Sequence, residues 1–428
     1  MYKHIIIFCY FLSILHFNNC QSQFFSNINR YSKINYAFTW KQLEYDFDGV
    51  KYTNDTSKRW TPEGIYFKEE IEEKETFYKK YNNIPIGFDI FQNKVFITVP
   101  RRRYGIPSTL NYIDLDNNED SPALKPYPHV DFISSLVSVY RPRVDECNRL
   151  WVVDTGLLEV PDHREQMKPP EIIIFDLTNN TEIMRQQLNP GVIVNGTTSG
   201  LTSITVDVTP STCADAFAYI NDLATNGLIV YSLKQRDSWR FNHPTFGYDP
   251  GASNFKVGEH VINWKDGIFS IALSEPNKKG VRTAYYHPFV ATQEFSITTD
   301  VLKNRNGNFE KNFKLEGVRG AWSQSGTHVY DSSTRTLIFA NVAQDGLICW
   351  NIDKPLTPKN TTLFIQDHRW LYYISDLKMN NENVWMLVNS MPNFIYSRLD
   401  PGEYNFSLFW GNLTELIEDT VCDRNTSV

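Results

Sequence analysis

The tripeptide Asp154-Thr155-Gly156 closes the apolar run Leu150 to Val153 and has the residue types that carry the catalytic carboxylate of an aspartic protease. That chemistry requires two carboxylates sharing a proton, each on its own loop. The chain has no second Asp-Thr-Gly or Asp-Ser-Gly, so residues 154–156 read as a turn at a strand end. Gly-x-Ser-x-Gly, His-Glu-x-x-His and Cys-x-x-Cys are also absent, and no two histidines stand at metal-binding spacing. The sequence therefore predicts neither a serine hydrolase nor a metal site, and it contains no cofactor motif.

Helical periodicity is nearly absent from the elements that must position any site. Short runs rich in Val, Ile, Phe, Tyr and Trp recur instead between Gly, Pro, Asn and Asp clusters, the pattern of an all-β chain. Aligning them gives a repeating unit whose second strand is anchored at Phe96, Trp151, Phe217, Ala284, Leu337 and Trp385, spaced 48 to 67 residues apart. Such a period accommodates four strands and predicts a six-bladed β-propeller in which each blade covers its neighbour's face. The blades are expected at roughly 84–135, 136–190, 200–245, 262–318, 320–367 and 370–412. All belong to a single domain, 21–428, with residues 36–47 pairing onto the last blade to close the ring and remove an exposed edge. In this register Asp154-Thr155-Gly156 occupies the second-strand end, where other blades have Val99-Pro100, Asn221-Asp222 and Asn389-Ser390.

Residues 5–17 form an apolar run after Lys3, too short to span a bilayer and matching the core of a secretory signal peptide over 1–20. No later stretch is apolar enough for a membrane span. Sequons at Asn54, Asn179, Asn195, Asn360, Asn405, Asn412 and Asn425 agree with a secreted, extracellular glycoprotein. With Cys9 and Cys20 in the leader, Cys147, Cys213, Cys349 and Cys422 remain, an even number suited to two disulfides. Cys147 and Cys213 each stand four residues before a second-strand anchor, at equivalent places on adjacent blades. The register thus pairs Cys147 with Cys213 and leaves Cys349 for Cys422. The balance of 42 basic and 49 acidic residues, with Arg101-Arg102-Arg103 as the one basic cluster, argues against a nucleic-acid partner.

The stretches "VDECNRLWVVDTG", "VFITVPRRRYGIPSTLNYI", "DGIFSIALS" and "LIFANVAQDGLICWN" resemble the insect Yellow and major royal jelly protein family over about residues 36–422. The resemblance implies a secreted six-bladed propeller. It also implies one of several functions, since the family includes pigmentation proteins, dopachrome-converting enzymes, amine-binding salivary proteins and nutritional, sterol-binding members.

A propeller's expected site is its central channel. The register lines it with Phe88, Tyr140, Arg141, Thr205, Thr327, His328, Tyr373 and Ser375, and analogy with the family's amine binders favours Thr327 and Asn341. The leading expectation is a small-molecule binding protein for an amine, catechol derivative or sterol-like ligand, acting in cuticle pigmentation or development. An alternative is a dopachrome tautomerase, for which His328 would be the acid–base residue and Arg141 or Arg143 the partner of a substrate carboxylate. A third reading places function on the glycosylated outer surface, in a structural or nutritional role. Few titratable residues fall on the channel in this register, which favours binding over catalysis.

Overall fold

The alternation of β-branched and aromatic runs with Asn, Asp and Gly turns produces six antiparallel four-stranded sheets arranged as a six-bladed β-propeller. The computed structural model describes residues 32–56, 77–160, 163–195 and 198–424; the expected signal peptide and Asn425 lie outside them.

From channel to rim, blade one contains Gly87–Phe91, Lys94–Thr98, Leu110–Asp114 and Lys125–Pro126. Blade two contains Arg143–Val144, Arg149–Asp154, Glu171–Asp176 and Thr181–Gln187. Blade three is Leu201–Asp207, Phe217–Asp222, Gly227–Ser232 and Asp237–Asn242. Blade four is Ile268–Leu273, Thr283–Pro288, Gln293–Thr298 and Lys314–Val318. Blade five is Ser325–Asp331, Thr336–Asn341, Gly346–Asn351 and Thr361–Gln366. In blade six, Ile374–Asn380, Asn383–Val388 and Phe406–Asn412 are followed outward by Asn35–Trp40, which pairs antiparallel with Phe406–Asn412. The run 36–47 is not one strand: Asp48 and Gly49, at φ +50 and +92, turn Tyr45–Phe47 back into a hairpin with Val50–Tyr52.

Each face between neighbouring blades buries its own apolar cluster. Trp151, Ile172 and Ile220 pack between blades two and three, for example, and Ile338, Leu377 and Met386 between blades five and six. Burying one such side chain contributes on the order of 1.5–3 kcal/mol, so the ring is held mainly by these faces. Polar contacts at the channel set its register. The Asp376 carboxylate accepts the Phe88 amide at 3.1 Å, and Asp89 accepts the Val144 amide at 2.8 Å, so equivalent aspartates join blade six to one and one to two. Between blades three and four, the Ser203 and Thr205 hydroxyls donate to the carbonyls of Phe269 and Ile271 at 2.8 and 2.9 Å.

Two disulfides reinforce this frame, Cys147–Cys213 and Cys349–Cys422. The first joins equivalent turns on blades two and three. The second fastens the C-terminal tail to the third strand of blade five.

Candidate functional site

Asp154 stands at the end of the second strand of blade two, fully buried. Its carboxylate accepts the amides of Val137, Ser138 and Gly156 at 2.8, 2.8 and 3.1 Å and pairs with Lys168 at 3.0 Å. Gly156, at φ +65, carries the chain past the Lys168 carbonyl where a Cβ would collide. Asp222 at the matching end in blade three likewise accepts the Gly200 amide, at 2.8 Å, and pairs with Arg240 at 2.8 Å. The protease-like tripeptide is therefore a turn anchor, since its carboxylate is spent on fixed backbone donors and a lysine.

Two cavities lie along the ring axis, and Arg141 lines both. Its buried guanidinium donates to the carbonyls of Phe269 at 3.1 Å, Gly326 at 2.9 Å and Ser375, and lies 3.9 Å from the Asp376 carboxylate. One side chain from blade two thus reaches blades four, five and six and forms a partition across the channel. Burial pulls its pKa below the ordinary value, with Asp376 opposing that pull.

The lower cavity, about 470 Å³, is walled by the far ends of the first strands, including Thr205, Thr327, Tyr330 and Lys378. Its cations are engaged: Lys378 with Asp376 at 2.8 Å, Arg282 with Asp207 and Glu146 at 3.1 and 3.2 Å, and Arg143 near Asp89 at 3.9 Å.

The upper cavity, about 250 Å³, is walled by Tyr140, Trp264, Phe269 and Tyr373, with Arg102 and Arg164 nearby and Met391 and Ile395 from the short helix Met391–Tyr396. Trp264 and Tyr373 meet almost perpendicularly, at 86° and 6.3 Å between centroids, and Tyr396 stacks on Trp264 at 6.3 Å. Asp266 lines the same cavity, just ahead of the first strand of blade four. Burial pushes its pKa up to about 6, while Arg102 draws it down. The Asp266 carboxylate receives no side-chain hydrogen bond from any described residue. A half-buried carboxylate that titrates near neutrality, beside aromatic walls, is suited to proton transfer.

The sequence profile of the family described as "Major royal jelly protein" matches residues 137–422. The chain belongs to the major royal jelly protein family. It is 38% identical over 404 residues to the L-dopachrome tautomerase yellow-f of Drosophila melanogaster, covering 90% of this chain and 94% of that one. A dopaminechrome tautomerase of the same species is 34% identical over 367 residues, covering 81% and 78%. Protein yellow of that species is 34% identical over 408 residues, covering 92% and 72%. Solved structures of a nidogen/laminin complex and a luciferin-regenerating enzyme align at TM-scores of 0.39 and 0.43. They are 11% and 10% identical and cover 68% and 78% of this chain and 84% and 92% of theirs.

Within this royal jelly protein fold, the residues expected from sequence are dispersed. Tyr140, Arg141 and Tyr373 reach the upper cavity, and Thr327 the lower one. Phe88 is in the core. Asn341 is a buried turn residue whose side chain accepts the Ala343 amide and donates to Gln344, so it does not join Thr327 in one site. Arg141, expected to meet a substrate carboxylate, is committed to carbonyls, and Arg143 borders the lower cavity.

His328 requires the clearest correction. Its ring is fully buried between blades four and five, stacked parallel to Phe339 at 5.7 Å. Nδ1 bonds the Ser270 hydroxyl at 2.5 Å and Nε2 donates to the Tyr285 carbonyl at 3.1 Å. Desolvation pushes its pKa down to about 3, so it is neutral and has no nitrogen left for a substrate. His328 forms a cluster with His287 and Glu294 whose possible ligand atoms lie within 4.8 Å of one another. Arg319 and His287 Nδ1 each contact Glu294 Oε2 at 2.7 Å, while His287 Nε2 donates to Ser325 O at 3.1 Å. A guanidinium on the carboxylate and protein partners on every ring nitrogen make this a hydrogen-bonded seam, ill suited to a cation.

Sequence reasoning missed Asp266, Trp264 and Arg102. Asp266 opens the "DGIFSIALS" stretch that carried the family resemblance, and its place just before a first strand was the available signal. Among the sequons, Asn54, Asn179 and Asn195 are exposed. Asn405 is buried and its amide donates to the carbonyls of Lys41, Asp400 and Glu403.

Proposed function

We propose that this protein is a secreted tautomerase of catechol-derived aminochromes, the dopachrome class, which binds its substrate in the upper cavity and uses Asp266 as the acid–base group. The observation that carries this reading is a half-buried carboxylate titrating near 6 beside the corner formed by Trp264 and Tyr373. The tautomerase names of two relatives, one 38% identical along 90% of this chain, support it. The apolar leader and the two disulfides support secretion.

An aminochrome is a planar indoline quinone, and its isomerisation to the dihydroxyindole moves two protons, one from each saturated carbon of the five-membered ring, onto the two quinone oxygens. No oxidant, reductant or leaving group is needed. At neutral pH Asp266 is ionised and removes a proton from one saturated ring carbon; electrons shift through the ring toward a quinone oxygen, the resulting carboxylic acid returns the proton there, and loss of the second ring proton with protonation of the other oxygen completes the dihydroxyindole. A pKa near working pH serves both halves of this transfer. The aromatic walls hold the ring in place, and the Arg141 partition closes the cavity floor to the lower channel.

The same carboxylate and aromatic faces would also hold the ammonium of a biogenic amine, so turnover is what separates enzyme from binding protein. Purified protein should accelerate loss of L-dopachrome absorbance, and Asp266→Asn should lower kcat by about 10²–10⁴-fold. A full rate in that variant would overturn the assignment of Asp266. Saturable binding with no acceleration would make this a sequestering protein.

A further inference from the structure

The upper cavity contains a polar group that the proton transfer assigned to Asp266 leaves unused. Thr202 lies on the first strand of blade three, Leu201–Asp207, and lines this cavity with only 8% of its surface exposed. Pairing to the second strand is interrupted between Leu201 and Ile204, so Thr202 stands at a bulge rather than in the regular ladder. The other hydroxyls of the strand are engaged, Ser203 with the Phe269 carbonyl and Thr205 with that of Ile271. Elsewhere on the cavity wall, Thr155 donates to the Ser138 carbonyl at 3.1 Å and Ser375 to the Leu387 carbonyl at 3.2 Å. Thr202 Oγ1, although buried, has no hydrogen-bond partner among the described residues. A buried hydroxyl without a partner is unfavourable, and a ligand that accepts from it relieves the penalty.

The start of this strand is tied to the segment that carries Asp266. The Leu223 amide donates to the Gly200 carbonyl at 3.1 Å, and the Gly267 amide donates to the Leu223 carbonyl at 3.2 Å. Both glycines permit the approach. A Cβ on Gly200 would lie 2.9 Å from the Ala224 amide nitrogen, and one on Gly267 would lie 2.4 Å from the Phe246 carbonyl oxygen. Thr202 and Asp266 are thereby held on adjacent blades in the wall of one cavity.

We infer that the Thr202 hydroxyl donates a hydrogen bond to a quinone oxygen of the aminochrome and holds the ring with a saturated carbon toward Asp266. This rests on the tautomerase reading above. As Asp266 withdraws a ring proton, negative charge grows on the quinone oxygen. A donor fixed in a buried wall stabilises that charge without having to reorganise. Thr202 keeps its own proton throughout, so the balance of the reaction is unchanged. The aromatic walls select a flat ring, and this hydroxyl selects one with a carbonyl oxygen at its edge.

Turnover of L-dopachrome by the full-length mature protein tests the contact. Thr202→Val has the same shape without the hydroxyl and should lower kcat about 10²-fold, with KM moving less than about threefold. Thr202→Ser keeps the donor and should stay within about threefold of the unsubstituted rate. The rise of kcat/KM with pH through about 6 should be unmoved in both, because Asp266 still sets it. Since the hydroxyl makes no bond in the free protein, Thr202→Val should have an unchanged or later denaturation midpoint, which separates lost chemistry from lost fold. A kcat for Thr202→Val within about twofold of the unsubstituted protein overturns the inference and leaves the tautomerase reading intact. A Thr202→Ser variant as slow as Thr202→Val overturns it too. Should Thr202→Val fail to fold, Thr202→Cys, whose thiol is a weak donor, should be slower by about tenfold or more, and a full rate there overturns the inference. If the unsubstituted protein does not accelerate loss of L-dopachrome, the tautomerase reading falls and this inference falls with it.

Discussion

Arg141 Nη1 donates to the carbonyl oxygen of Gly326 at 2.9 Å, a bond that crosses the propeller axis from blade two to blade five. The same guanidinium holds Phe269 and Ser375, so three blades distant in sequence meet on one side chain. Truncation would leave buried carbonyls without donors and Asp376 without one of its cations. Arg141→Ala should therefore destabilise the fold by about 3–5 kcal/mol, the range for breaking a buried charge contact. Chemical denaturation measures this, and an unchanged midpoint would show the partition to be dispensable.

Asp266 should impose a pH limb on turnover. Its folded pKa is raised to about 6, so the base is present above that value, and kcat/KM should rise with pH through about 6 and then level off. The linked stability effect has the opposite sign. A raised carboxyl pKa contributes stability that is full below the unfolded value and lost as pH rises through 6. Asp266→Asn, neutral throughout, should thus be more stable than the unsubstituted protein at pH 8 by about 1–2 kcal/mol, while being nearly inactive. A variant with unchanged or lower stability at pH 8 would contradict a desolvated carboxylate.

At the blade four to blade five seam, His328 titrates in the reverse sense. Its folded pKa, near 3, lies below the ordinary 6.5, so its contribution is present above 6.5 and fades as pH falls toward 3. Glu294, raised to about 7, holds a proton there, and His287 is also depressed by burial and by Arg319. The stability advantage over His328→Gln should shrink by about 1.4 kcal/mol per pH unit as pH is lowered from 6 to 4. Parallel stability curves for the two proteins would exclude this role.

Much of the frame was legible because blades repeat. Trp151, Phe217 and Trp385 mark second strands at a near-constant period, and the shared register of Cys147 and Cys213 located a disulfide. The site was less legible because channel position does not fix side-chain direction. His328 lies on a first strand, yet a register shift between Ser325 and His328 accompanies a ring placed between blades rather than over the channel. Arg141 reads as a free cation in sequence, and only the closed ring shows the carbonyls that absorb it. Asp266 and Trp264 precede a strand, so strand periodicity carries no information about them.

Asp154 provides a test of the opening motif itself. Both of its oxygens accept backbone amides, and one also meets Lys168. In Asp154→Asn the amide nitrogen cannot accept, so the Val137 or the Ser138 amide loses its acceptor, and Lys168 keeps Glu171 at 2.9 Å and the Ser135 carbonyl at 3.1 Å. An unsatisfied buried donor together with the lost charge pairing should cost about 2–4 kcal/mol, seen as an earlier denaturation midpoint. A catalytic carboxylate free of structural duty would instead tolerate Asn with little loss of stability, so a cost under about 0.5 kcal/mol would return the tripeptide to the list of candidate chemistry.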